Sequence, residues 1–216
     1  MGKHTAGQAH GEVRWRWVGE RGVQVATGGA TLARYESLIS MNLTDVEDII
    51  PADDSILVIL KRAAAVPREL EAALTEALPE PDGGTGRRSV HELVVEYGGP
   101  DGPDLAELAE RAGMTIAAYV ECHAAAEYTV AFLGFQPGFP YLRGLPAELH
   151  AERRASPRQR VAPGSVAIGG TYAGIYPAGG PGGWHVVGRT AATLFDPRRD
   201  EPCLLMPGDR VRFVPA

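Results

Sequence analysis

Residues Gly134 to Leu142 read G-F-Q-P-G-F-P-Y-L, and no other stretch restricts the fold as much. Three aromatic rings, two glycines and two prolines fall within nine residues. Proline fixes φ and removes a backbone donor, while glycine permits angles that other residues avoid. Such a stretch suits neither a regular helix nor a central strand. It is expected to form a rigid loop that holds Phe135, Phe139 and Tyr141 in place. A second segment of the same kind follows: Pro163-Gly164-Ser165, Gly169-Gly170, Tyr176-Pro177 and Pro181-Gly182-Gly183-Trp184. Rigid aromatic loops at this density point to a shaped surface or pocket.

The rest of the composition narrows the function. With 216 residues, 44% of them hydrophobic, the chain has room for one large or two small domains. A net charge of -6 argues against nucleic acid as the main partner, because a phosphate backbone calls for a basic face. No apolar run approaches the ~20 residues of a membrane-spanning helix. Residues 1–11 lack the apolar centre of a signal peptide and read as a disordered tail. Cys122 and Cys203 form no metal-type or redox-type spacing and are expected as buried free thiols of a cytoplasmic protein. Lys3 and Lys61 are the only lysines among the 21 basic residues. That disfavours a lysine nucleophile in the Gly/Pro-rich half and leaves arginine as the group for binding anions.

Along the chain, residues 12–90 read as an N-terminal α+β sandwich. Val13 to Ala26 suits a strand pair turning at Gly19 to Gly22. Thr31 to Met41 carries Leu32, Tyr35, Leu38 and Ile39 at helical spacing. Val46 to Ile50 and Ser55 to Leu60 read as strands, and a helix opened by Pro67 is stopped by Pro79 and Pro81. Asp82 to Arg88 reads as an exposed connection. His91 to Tyr97 is a strand that either closes the first sheet or opens the second domain. Two short helices follow, Asp104 to Arg111 and Thr115 to His123, separated by Gly113. Beyond Tyr128, short β-like runs between Gly/Pro loops favour a closed or nearly closed β-barrel, placing a second domain at 91–216.

Candidate chemistry is sparse. His123 has Glu121 and Glu127 nearby in sequence and is either an acid–base group or a half-buried structural histidine. His185 follows Trp184 in a glycine loop, nearer the expected pocket. Arg153, Arg154, Arg158 and Arg160 surround Ser156-Pro157 and form either a solvated basic loop or a clamp for a carboxylate or phosphate. Ser165 lacks a nucleophile elbow, so a turn hydroxyl is its default role. Tyr176 and Trp184 are core rings or pocket walls, packing being the commoner role of large aromatics. No metal-ligand spacing occurs. A complete set of nucleophile, base and oxyanion donor cannot be filled from these residues, which points to one component of a larger enzyme or to a binding protein.

These motifs, taken together, resemble a known family. They include Tyr97-Gly98-Gly99, His123 with Tyr128, Gly134 to Leu142 and Arg153 to Arg158. They continue through Pro163 to Gly170, Ile175-Tyr176-Pro177, Pro181 to Trp184 and Gly188-Arg189-Thr190. The chain is similar to the B subunits of bacterial 5-oxoprolinases, also described as allophanate hydrolase subunit 1 or as KipI-type kinase inhibitors. The resemblance implies an α+β N-terminal domain followed by a cyclophilin-like β-barrel. It implies one component of an ATP-dependent 5-oxoprolinase, which opens 5-oxoproline to glutamate. The partners it implies are the A subunit of that enzyme and its C subunit, a second barrel protein. ATP use is implied for the complex. The alternatives are a regulatory inhibitor of a sensor histidine kinase, or a urea carboxylase or allophanate hydrolase type subunit 1. His123, Arg154 and Ser165 are implied as catalytic positions. Phe135, Pro137, Phe139, Tyr176, Trp184 and Thr190 are implied as contacts to a small anionic lactam. Two positions depart from the family pattern: Val94 stands where proline is usual, and Gly180 where threonine or serine is usual.

Overall fold

The computed structural model describes residues 15–62, 65–75 and 89–216. The chain divides into two compact units, Met1–Arg87 and Arg88–Ala216. The expected tail, the prolines ending the second helix and the Asp82 to Arg88 connection lie outside the described residues.

In the first unit, β1 (Trp15–Val18) and β2 (Gly22–Ala26) form a hairpin, followed by α1 (Thr31–Ser40), β3 (Val46–Pro51), β4 (Ser55–Leu60) and α2 (Arg68–Thr75). The sheet is antiparallel throughout, in the order β1-β2-β4-β3. Alternation explains its one-sided core. Ile56, Val58 and Leu60 of β4 are buried, and they meet Leu38 of α1 and Leu70 and Leu74 of α2. The buried face of α1 differs from the expected one: Ile39 is exposed, and Thr31, Ala33 and Arg34 are buried with Leu38. Polar bonds account for the rotation. The Thr31 hydroxyl donates to the Asp53 carbonyl at 2.9 Å, and Arg34 Nη1 donates to the Ala73 carbonyl at 2.6 Å, tying α1 to α2.

The second unit opens with β5 (Val90–Tyr97), α3 (Leu105–Arg111), α4 (Ile116–Ala125), β6 (Tyr128–Leu133) and β7 (Pro140–Arg143). It continues with β8 (Arg158–Val161), β9 (Ser165–Gly169), β10 (Tyr172–Ile175), β11 (Gly180–Gly182), β12 (His185–Arg189) and β13 (Arg210–Pro215). Seven of these strands close a barrel in the order β10-β7-β6-β13-β5-β12-β9. The strand around His91 therefore belongs to the second unit, running parallel to β13 and antiparallel to β12. β8 and β11 form a separate two-stranded sheet. Gly113, at φ 66°, ends α3, and the Thr115 hydroxyl caps α4 by accepting the Ala118 N–H at 3.1 Å.

The Gly134 to Leu142 stretch is only partly a loop. Its last residues enter β7, which pairs with β6 on one side and β10 on the other. Proline is compatible with this because Pro140 is the first residue of the strand. Tyr172–Ile175 and Gly180–Gly182 are likewise strands within the Gly/Pro-rich half. The two cysteines are free and part-exposed rather than buried. Among the described residues, no helix is long and apolar enough to cross a membrane.

Strand alternation divides the barrel wall between two cores. Each of the seven strands contributes to one cluster, among them Val95, Val130, Leu142, Ile168, Ala173, Val187 and Val211, so this cluster fills the barrel. The intervening residues Ala167 and Val186 pack with Phe139, Tyr176 and Trp184 in a second cluster, joined by Tyr141 and Tyr172. The aromatic cluster therefore lies on the outer face of the wall. Trp184 fits there because it lies against bare backbone: a β-carbon at Gly169 would sit 2.5 Å from the indole, and one at Gly174 would sit 2.9 Å from both Trp184 and Phe139.

Gly169→Ala should therefore destabilise the protein by about 1–3 kcal/mol through overpacking. Gly134→Ala, whose new β-carbon meets nothing closer than 3.5 Å, should stay within about 0.5 kcal/mol. Urea denaturation of both variants checks the pair, and equal stability would contradict this packing.

Candidate functional site

The outer aromatic cluster borders a cavity of about 190 Å³ lined by Phe135, Phe139, Tyr141, Arg153, Arg154, Pro157, Tyr176, Gly182, Gly183 and Trp184. The 134–139 turn and β7 supply three of its rings, the β8–β11 side supplies the arginines and glycines, and Trp184 leads into β12. The rings meet edge to face. Phe139 lies 5.1 Å from Tyr176 at 83° and 5.4 Å from Trp184 at 87°, and Tyr141 lies 5.5 Å from Trp184 at 81°. Each such pair adds about 0.5–1.5 kcal/mol beyond burial, so the walls are stiff. Gly182 is required beside Tyr176, because a β-carbon there would lie 2.3 Å from the phenol oxygen. Burial raises the Tyr176 pKa, against a bond from the Trp184 backbone N–H, so the phenol stays neutral.

Phe135 stands at the mouth. It is 60% exposed and holds φ at 65°, a conformation that costs a non-glycine residue about 1–3 kcal/mol. Its ring meets Phe139 at 5.5 Å and Tyr176 at 6.2 Å, both edge to face.

Asp104, the residue before α3, organises the charged side. Its carboxylate makes no bond to its own helix end. It instead accepts Arg158 Nη2 at 2.7 Å and Nη1 at 2.8 Å, Arg154 Nη1 at 2.9 Å and the Val186 N–H at 2.6 Å. Asp104 is only 3% exposed. Burial raises its pKa, but the bonds and charges of Arg158 and Arg154 and the Val186 N–H outweigh this and hold it below the ordinary carboxylate value. One carboxylate thus serves two guanidinium groups. A third, Arg153, lies 5.9 Å over the Trp184 ring. Among the described residues the cavity is lined by arginines and by no carboxylate, which favours an anion there. Arg154 Nε is buried and has no hydrogen-bond partner among the described residues, leaving a donor beside the cavity unsatisfied.

Of the residues expected at the site, the cavity brings together Phe135, Phe139, Arg154, Tyr176 and Trp184. Pro137 lies in the same turn but not in the lining. Ser165 is buried at the start of β9, where its carbonyl accepts the Tyr176 N–H at 2.9 Å. Thr190 lines a separate cavity of about 380 Å³ with Glu92, Glu96, Asp101 and Arg189.

His123 sits apart in the barrel core. It is fully buried, stacked on Phe213 at 4.9 Å, and bonded through Nδ1 to the Tyr97 hydroxyl at 2.8 Å. Glu127 pairs with Arg210 and Arg212 instead. His185 is buried, with Nε2 on the Glu152 carbonyl at 3.0 Å.

Sequence reasoning did not single out Asp104, which reads as an ordinary helix-start residue 50 positions from Arg154 and 54 from Arg158. Nor did it single out Pro157 as lining, whereas Tyr141, expected in the rigid aromatic stretch, does line the cavity. Among the described residues, no three His, Cys, Asp or Glu side chains come together in a way that could hold a metal ion.

Burial lowers the His123 pKa to about 3 from an ordinary 6.5. Between those values the unfolded chain binds a proton that the native state does not, so stability should fall as pH drops from about 6.5 toward 3. His123→Gln should flatten this limb, by up to about 1.4 kcal/mol per pH unit, in denaturation curves taken across that range. An unchanged slope would contradict the assignment.

Residues 11–205 match the family model for the carboxyltransferase domain, subdomain C and D. The B subunit of 5-oxoprolinase from Escherichia coli O157:H7 is 46% identical over 175 residues, covering 81% of this chain and 80% of that protein. Its counterpart from Bacillus subtilis (strain 168), also a 5-oxoprolinase B subunit, is 41% identical over 69% of this chain and 61% of its own length. The crystal structure of TTHA0988 superposes with a TM-score of 0.76 at 34% identity, covering 91% of this chain; the chain spans only 40% of that protein's length. The Kluyveromyces lactis urea carboxylase shares the fold at a TM-score of 0.67 and 19% identity, over 94% of this chain and 22% of its own. By sequence and by structure, the chain belongs to the carboxyltransferase domain subdomain C and D family.

Proposed function

We propose that the chain is the B subunit of an ATP-dependent 5-oxoprolinase, in which the aromatic cavity binds the carboxylated lactam and the A and C components complete the reaction centre. The observation that carries the reading is the 46% identity to a 5-oxoprolinase B subunit over four-fifths of both chains. The site chemistry supports it. A lactam carbon is a poor electrophile because its amide is resonance-stabilised. Phosphorylation of the lactam oxygen by ATP, taken at the level of the complex, removes that resonance. Water adds to the carbon, the C–N bond breaks with the nitrogen leaving as the protonated amine, and a second water hydrolyses the resulting acyl phosphate to glutamate and phosphate. The part of this chain is to bind and orient. Arg154 Nε and the Arg153 guanidinium offer donors to the carboxylate or to the phosphorylated oxygen. Phe139, Tyr176 and Trp184 hold the ring flat and exclude water, and Phe135 covers the mouth.

His123 and Ser165 enter this reading only as supports of the fold. His123 is enclosed in the barrel core away from the cavity, and Ser165 is bonded to no base among the described residues. We also read the barrel as the cyclophilin-like type that the resemblance implies. The likeness to a urea carboxylase, at 19% identity, concerns the fold alone.

The chain purified with its A and C partners should release glutamate from 5-oxoproline and ATP, and the chain alone should not. Arg154→Lys keeps a charge but loses the planar fork, and should raise KM for 5-oxoproline by about tenfold or more with the fold intact. Absence of glutamate from folded, complete components would overturn the assignment, and an unchanged KM would move the lactam away from this cavity.

A further inference from the structure

A second polar cavity of about 230 Å³ lies where α3 and α4 meet the segment 147–152. At about 30 Å³ for each water-sized group, it has room for roughly seven or eight such groups. Tyr119 of α4 lines it and is only 1% exposed, yet its hydroxyl has no hydrogen-bond partner among the described residues. Buried phenols normally find a partner, because leaving the hydroxyl unmatched costs free energy. Burial, and to a lesser extent the neighbouring Cys122, raises its pKa, so it remains a neutral donor.

The lining carries both signs of charge. Arg111 uses one nitrogen on Glu107 and keeps the other donors of its fork. Glu148 and Glu152 also line the cavity, and neither forms an ion pair among the described residues. A purely anionic guest would face two carboxylates, and a simple amine would leave Arg111 and the phenol idle. A guest carrying both charges satisfies all four groups.

We propose that this cavity binds a small α-amino acid as its zwitterion. The carboxylate meets Arg111 and the Tyr119 hydroxyl, and the ammonium meets Glu148 and Glu152. The site also borders the aromatic cavity through one segment. Glu152 is followed directly by Arg153 and Arg154, its carbonyl bonds His185, and the Arg154 N–H bonds the Gly183 carbonyl at 2.8 Å.

The test is a calorimetric titration of the isolated full chain with glycine, L-alanine and L-serine, and with acetate and methylamine as single-charge probes. It does not depend on the 5-oxoprolinase reading, because no turnover is measured. At least one amino acid should saturate the chain, and neither single-charge probe should. Tyr119→Phe should weaken binding about tenfold or more without lowering the unfolding temperature, since only an unpaired hydroxyl is removed. Arg111→Gln should weaken it similarly, and Arg153→Gln should leave it unchanged. The proposal fails if no amino acid binds up to about 10 mM, roughly ten times a weak dissociation constant of about 1 mM. It also fails if Tyr119→Phe binds as tightly as the native chain, or if Arg153→Gln abolishes binding and so places the ligand in the aromatic cavity.

Discussion

The buried carboxylate of Asp104 fixes how the β8 side, the start of α3 and β12 meet. It accepts a bidentate fork from Arg158, a further bond from Arg154 and the backbone N–H of Val186, while its own N–H donates to the Val186 carbonyl at 3.0 Å. A buried charge is tolerated only when its bonds are complete, and here they are. The same contacts leave the guanidinium side in excess. That imbalance makes the aromatic cavity a place for an anion instead of an internally neutral core.

Beside this anchor, the barrel wall provides stiffness. Its inward residues fill the interior, and its outward residues on one side form the floor on which Trp184 and Phe139 lie. The glycines at 169 and 174 let the indole approach the strands directly. The rings are therefore placed by the sheet as well as by the loops, and Phe135 is the exposed, strained member of the set. Gly180, where the family pattern has a hydroxyl residue, differs from these glycines: a β-carbon there would meet the Gln136 Nε2 at 2.8 Å, the end of a flexible side chain that can move aside.

Much of this was legible in the residue order. Periodicity located the helices and most strands, and the Gly/Pro punctuation located the aromatic cluster. The failures have physical causes. Pro140 at a strand start lets β7 begin inside a stretch that reads as a loop. Arg34 packs inward because its guanidinium reaches a helix carbonyl, which no hydrophobic count can register. Phe139, Tyr176 and Trp184 were readable as a group because rigid turns flank them. Asp104 was not, since its partners come from β8, the segment just before it and β12, far along the chain. His123 shows the converse: carboxylates near in sequence suggest acid–base chemistry, while the fold turns the ring into the core against Tyr97 and Phe213.

The most direct test of the central claim is the coupling between Asp104 and Arg158, measured by a double-mutant cycle of Asp104→Ala and Arg158→Ala in urea denaturation. If the buried carboxylate joins α3 to the β8 side, the coupling should be about 2–3 kcal/mol, the upper end for residues in direct contact. A coupling below about 1 kcal/mol, the range of an exposed pair, would contradict it.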